Sequence, residues 1–317
     1  MTRAIVGLLL IALVPAGRGD AQDPPGQQAS IPGVIAEGTR VELVRGNFRG
    51  VEGPVATHDG GLYFSDVPAN LTYKLEANGD IAVWRENTQG TNGLFLLRDG
   101  RLLAAASSGR QIVSVTPERQ LTTLATACGG QPLRAPNDLI ADAKGGVYFT
   151  DPAPRPAPGL APKELGNVCY LRPTGGVLLL DGTIRRPNGI TLSLDEKTLF
   201  VDDTEGEYVY AFDVLPDGGV ANKREFVRLL ELEQTPVAGR SWADGMAVDS
   251  IGRLYVAIRS GIQVIDPRGL YLGTILVGST VRNLAFAGPR RQTLYVTGIE
   301  SLYRIQMLSD GPSGRAK

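Results

Sequence analysis

Short apolar runs alternate with polar turns along most of the chain, and no apolar pattern of 3.6-residue period is long enough to make a helix. β-Branched and aromatic residues gather in triplets at Leu62-Tyr63-Phe64, Val147-Tyr148-Phe149, Leu199-Phe200-Val201, Leu254-Tyr255-Val256 and Leu294-Tyr295-Val296. Such side chains pack well on a pleated surface. Turn-forming Gly, Asp, Lys or Arg precedes each triplet. A further strand pattern follows several of them, at Thr72-Tyr73-Lys74-Leu75, Tyr208-Val209-Tyr210 and Ile262-Gln263-Val264-Ile265. Turns such as Leu215-Pro216-Asp217-Gly218 then lead to a fourth. The pattern predicts four-stranded antiparallel sheets joined by tight turns.

The strands recur as a unit. The segments EGPVATHDGGLYFSD, NGLFLLRDGRLLAAA, NDLIADAKGGVYFTD, NGITLSLDEKTLFVDD, DGMAVDSIGRLYVAI and NLAFAGPRRQTLYVT each run from an acid or amide through a small apolar strand and a polar turn to a second strand. Their first residues, Glu52, Asn92, Asn137, Asn188, Asp244 and Asn283, lie 39 to 56 residues apart, about one propeller blade. An all-β fold follows: a six-bladed β-propeller of four-stranded antiparallel blades over residues 41–308. The N-terminal Val41-Glu42-Leu43-Val44 is available to close the ring by joining the last blade. Loops 152–166 and 232–242 are expected over the channel mouth, where they would set specificity.

The flanks read differently. Ala4 to Val14 is unbroken apolar sequence after Thr2-Arg3, and Gly19 and Ala21 form a small-x-small cleavage site. Residues 1–21 therefore read as a secretory signal, too short to span a bilayer comfortably. The expected location is secreted or periplasmic, with no membrane contact after cleavage. Residues 22–40 are expected as a flexible leader and 309–317 as a tail. With 40 Gly and 21 Pro, helical bundles are disfavoured. A net charge of −1 gives no reason to expect a nucleic-acid partner. Export would permit a disulfide between Cys128 and Cys169; two unpaired thiols are the alternative. The single histidine, His58, falls in the turn THDGG, which removes a Ser-His-Asp hydrolase from consideration.

Asn-Gly and Asp-Gly are ordinary turn dipeptides, so each polar position has a bland reading when taken singly. Their shared register argues for more. The innermost strand of each blade lines the central channel, so residues at one offset converge near the axis. Two carboxylates buried together are costly unless a cation joins them. Carboxylate and amide oxygens suit Ca²⁺ first, with Mg²⁺ and Mn²⁺ also possible. Zn²⁺ is less favoured, because no His or Cys stands in the ring.

At these positions the chain resembles the regucalcin (senescence marker protein)–gluconolactonase family, and in its PND…YFTDP segment the bacterial gluconolactonase branch. The signatures are EGP (52–54), PNDLIADAKGGVYFTDP (136–152), RPNGITLSLDEKTLFVDDT (186–204), WADGMAVDSIGRLYVA (242–257) and NLAFAGPRRQTLYVT (283–297). The resemblance implies a six-bladed propeller that opens lactone rings. It implies a divalent ion held by Glu52, Asn188 and Asp244, with Asn137 as a fourth ligand or as a contact to substrate and water. Asp244 is then the general base or, in a second version, the nucleophile. Substrate contacts would fall to Arg134, Asn92 and Asn283, although Arg134 stands three residues before Asn137 where the family's animal members place an Arg two before. The rival chemistry is phosphotriester or aryl-ester hydrolysis on the same ion. The rival class is a propeller that binds a ligand or partner without catalysis.

Overall fold

The computed structural model describes residues 28–154, 164–230, 240–315 and 317. Six four-stranded antiparallel sheets form six blades, and among the described residues there is no helix. Their innermost strands are Val51–Ala56, Thr91–Leu96, Leu139–Ala141, Pro187–Leu192, Met246–Val248 and Val281–Ala287. Each innermost strand lies against the next around the axis, and that of blade 6 lies against that of blade 1, so the ring is closed.

Blade 6 is completed from the other end of the chain. Val41–Arg45 pairs antiparallel with Leu302–Gln306, with Val41 opposite Ile305 and Glu42 opposite Arg304. This closure removes the exposed edges that an open array would leave. It is the role expected for the N-terminal segment.

The core lies between blades. Innermost strands are sandwiched on both faces, which is why Val51–Ala56 and Pro187–Leu192 are buried throughout. Outermost strands meet solvent on one side, as in Val220–Arg228, which is exposed across Asn222–Glu225. The blade 3 cluster packs Tyr148, Phe149, Val168 and Tyr170 against Ile190 and Leu199 of blade 4. Truncating one such aromatic to Ala costs about 3–5 kcal/mol in a core this tight.

The N-terminal flank departs from expectation. Residues 28–40 are packed, contrary to a flexible leader: Ile31, Val34 and Ile35 are buried with Val277 and Ile305. Gln28 adds hydrogen bonds in both directions to the Leu276 backbone. The three buried aliphatic side chains suffice because blades 5 and 6 offer them an apolar shelf. The tail is also docked. Met307 N donates to Gln292 O, Leu308 N to Val34 O and Gly311 N to Arg291 O. The expected signal, residues 1–21, lies outside the described residues, as does most of each expected specificity loop.

Candidate functional site

The six polar positions are not turns. They sit at the upstream end of the innermost strands, on one face of the propeller. Four of them, Glu52, Asn92, Asn188 and Asp244, are followed by a glycine that has a packing reason. A Cβ on Gly53 would lie 2.2 Å from Asn92 O, and one on Gly189 would lie 2.1 Å from Asp244 O. Each dipeptide thus lets the neighbouring blade's polar residue approach the axis. Hydroxyls tie the blades together at the same level. Ser65 Oγ donates to Asn92 O (2.9 Å), Ser107 Oγ to Pro136 O (2.5 Å), Thr150 Oγ1 to Asn188 O (2.7 Å) and Thr204 Oγ1 to Ala243 O (2.7 Å).

Register corrects one member. Gly93 N donates to Asn137 O (2.8 Å) between blades 2 and 3, and the equivalent link between blades 5 and 6 runs from Gly245 N to Arg282 O (2.7 Å). Arg282, not Asn283, is therefore the blade 6 counterpart of Asn137. Blades 1, 2 and 4 carry a one-residue irregularity at the same level, so the offset comes from the hairpin: Ala285 pairs with Tyr295 ten positions on, where Val55 pairs with Tyr63 eight positions on. Asn283 fills instead the space left by Gly245, and its Oδ1 accepts Leu284 N at 2.8 Å. Asp138 does the same in blade 3, over Gly93, with Oδ1 accepting Leu139 N at 2.8 Å.

The ring is thus Glu52, Asn92, Asn137, Asn188, Asp244 and Arg282. Thr204 spends its only hydroxyl proton on Ala243 O, so it accepts from Asn188 Nδ2 at 3.1 Å. That fixes the amide with Oδ1 turned away, buried and without a partner. Glu52 Oε2 and Asn92 Oδ1 are likewise buried and unpartnered. Arg282 Nη1 lies 3.6 Å from Asp244 Oδ2. Burial first, and the Asp244 carboxylate second, push the Glu52 carboxyl well above the usual carboxylate range. The same two causes raise Asp202, which is fully buried beside Gly189 and keeps Oδ2 unpartnered.

Unsatisfied buried acceptors cost about 1–3 kcal/mol each, more when charged. Oxygens gathered on two acids and their neighbouring amides fit a hard cation, which would satisfy these acceptors and lower the raised carboxyls. Among the described residues no three His, Cys, Asp or Glu side chains form a metal cluster. The fit therefore depends on amide oxygens.

Arg134 works within its own blade. Its backbone N donates to Asp151 Oδ1 (2.9 Å), and its guanidinium reaches Asp151 O (3.2 Å) and Leu165 O (3.0 Å). Asp151 and Asp203 cap the approach to the ring: Asp151 also accepts Ala135 N at 2.8 Å, and Asp203 accepts Arg186 N at 2.9 Å. Cys128 and Cys169 are bonded, tying the segment that leads to Asn137 to the third strand of blade 3, Gly166–Leu171. His58 is exposed in a turn on the opposite face, with Nε2 3.2 Å from Leu97 O.

Asp138, Asp202 and Arg282 escaped the sequence reading. Asp202 had a signal in the doublet Asp202-Asp203, since adjacent strand residues face opposite ways. Arg282 had none, because the longer blade 6 hairpin puts Asn283 rather than Arg282 at the spacing of the other ring members. A cavity of about 560 Å³ lies elsewhere, at the far ends of the innermost strands between the 97–101 and 141–145 turns.

Residues 51–300 match the family model described as "SMP-30/Gluconolactonase/LRE-like region". The chain is 28% identical over 304 residues to the gluconolactonase of Zymomonas mobilis subsp. mobilis, covering 88% of this chain and 84% of that protein. It is 30% identical over 252 residues to pentonolactonase XacC of Haloferax volcanii, covering 78% and 80%. A solved gluconolactonase of Xanthomonas campestris has a TM-score of 0.75 at 27% identity, over 93% of this chain and 99% of that one.

Proposed function

Because the chain belongs to the SMP-30/gluconolactonase/LRE-like family, we propose that it is a divalent-cation-dependent hydrolase that opens a sugar-type lactone. The observation that carries the reading is the pair of buried, unpartnered oxygens, Glu52 Oε2 and Asn188 Oδ1, in one ring with Asp244. Glu52, Asn188 and Asp244, with Asn137, would hold the cation, Ca²⁺ first among oxygen-seeking ions. When bound, that ion supplies a Lewis acid for the lactone carbonyl.

The chain's residues do the rest. Asp244 is the general base: it takes a proton from the attacking water as oxygen adds to the carbonyl carbon. The C–O bond of the ring then breaks, the proton passes to the departing alkoxide, and a hydroxy acid leaves. The Asn137 amide orients the water. Arg282, paired with Asp244, is free to turn toward the developing negative charge once Asp244 is engaged elsewhere. Asp151 and Asp203 hold the approach segments, so Asn137 and Asn188 are placed by backbone anchors rather than by their own rotamers. The apolar Ala4–Val14 stretch supports export.

The test is turnover of aldonolactones by purified protein, before and after chelation and with cation restored. Loss on chelation, recovery on restoration, and loss in Glu52→Gln and Asp244→Asn are expected. An unchanged rate in metal-free protein would sink the mechanism, and cation binding without turnover of any lactone or ester would favour a binding module. Export is checked by N-terminal sequencing of the secreted protein, expected to begin at Gln22.

A further inference from the structure

The chain itself enters the channel from the face opposite the ring. Residues 309–315 cross the far mouth. Ser309 Oγ meets Tyr255 OH (2.9 Å), and Ser250 Oγ donates to Asp310 Oδ1 (2.9 Å). Arg315 is anchored at the downstream end of the blade 4 innermost strand, donating to Leu192 O (2.5 Å) and Ser193 O (3.1 Å). Lys317 then reaches up the channel, and its Nζ lies 2.5 Å from both carboxylate oxygens of Asp138.

This pair is buried, with the Lys317 side chain 0% and Asp138 1% exposed. Buried ion pairs repay their desolvation poorly, so stability alone is a weak reason for one. Its position gives a better reason. Asp138 is the residue after Asn137 in the ring, and its charge reaches both Glu52 and Asp202. No other side-chain cation meets Asp138 among the described residues. An unpinned carboxylate at this place would be a competing oxygen ligand.

We propose that Lys317 is a positioning residue for the ring: by holding both oxygens of Asp138 against the channel wall, it keeps that carboxylate away from the cation and preserves the cation's electrophilic strength. The proposal rests on the cation-dependent reading of the ring. A fixed negative charge brought to the ion tightens its binding and weakens its pull on a carbonyl. Lys317 and Asp138 therefore act with opposite signs on affinity, which a merely structural pair does not do.

Calorimetric titration of the chelated protein with Ca²⁺ alone tests this, beside kcat on one lactone and a thermal melt. Lys317→Met should bind Ca²⁺ about tenfold more tightly, the scale of one extra nearby charge, while kcat falls. Asp138→Asn leaves the ammonium unmatched and should weaken binding by about tenfold. The double variant should return to within about twofold of the parent. Single variants that shift affinity in the same direction, or a double variant that fails to return, overturn the role of Lys317 while leaving the ring intact. If the parent protein binds no divalent cation, both readings fall together. Should Lys317→Met not fold, Asp138→Asn and the double variant still decide the sign.

Discussion

Most blades carry a polar residue at each end of the innermost strand, and the two ends use it differently. At the far end stand Asp59, Asp99, Asp142, Asp195 and Asp249, each in the turn to the second strand. Their oxygens are spent locally. Asp142 accepts Lys144 N (2.9 Å), Gly146 N (2.8 Å) and Tyr170 OH (2.8 Å). Asp249 accepts Arg253 N (2.9 Å) and Nε (2.6 Å) and Tyr255 OH (3.0 Å). At the near end, Glu52, Asn92 and Asn188 keep a buried oxygen with no partner. Polar side chains in the same repeat therefore hold the fold at one face and leave buried acceptors unmet at the other. Unmet hydrogen-bonding capacity separates them better than residue type does.

Swapping an amide for an acid at each end should separate them most. Asp244→Asn is expected to lower kcat by about a thousandfold, the range for loss of a general base, with a melting temperature no lower than the parent's. Asp249→Asn removes the carboxylate facing buried Arg253. It should cost about 3 kcal/mol of stability while kcat per folded molecule is retained. Equal activity losses in both, measured beside thermal melts, would erase the distinction.

Glu52→Gln should weaken cation binding by about a hundredfold, read by calorimetry, since it replaces a charged ligand oxygen with a neutral one. Glycines sharpen the comparison next. Gly189→Ala pushes a methyl against Asp244 O and should cost about 2–3 kcal/mol along with activity. Gly252→Ala at the far turn meets nothing nearer than 3.6 Å and has only its φ of +84° to overcome, so about 1 kcal/mol and unchanged kcat are expected. Denaturant melts with kcat measured on the survivors check both.

The mildest contrast is in pH. Burial first raises the Glu52 and Asp202 carboxyls. The native protein then holds protons that the unfolded chain releases. In chelator, the stability these groups contribute is fully present below their ordinary carboxylate range and is lost as pH rises through their folded values. Asp99 and Asp195 are lowered, chiefly by the Arg101 guanidinium and the Ser193 hydroxyl respectively. Their contribution is present above the ordinary range and is lost as pH falls through their folded values. Melting temperature against pH should show the near-face loss in chelator and its suppression by saturating cation. A profile unaffected by cation would break the link between the raised carboxyls and the ring.

Much of the fold was legible because a repeat restates its evidence six times. Turn chemistry, strand alternation and an offset polar residue agreed in each unit, and even ring closure by Val41–Arg45 followed from a spare strand upstream. The site was legible only as a register. Spacing gave five of the six ring members and misplaced the sixth, since the blade 6 hairpin is two residues longer than that of blade 1. Residues 28–40 misled for another reason. Their polar, Pro-containing approach looked unstructured, and the apolar surface that captures Ile31, Val34 and Ile35 belongs to blades remote in sequence.

Local pattern alone determined the blades, their number, the turn acids and the presence of a polar ring, because each depends on residues within a few positions of one another. Tertiary structure alone decided which oxygens of that ring remain unpaired. That outcome depends on where Thr204 sends its single proton and how closely Gly189 lets the next blade approach. It also decided that Arg282 joins Asp244 and that Lys317 reaches Asp138 from 179 positions away. Hydrogen-bond satisfaction and charge pairing are sums over neighbours in space, and the closing of the propeller chooses those neighbours.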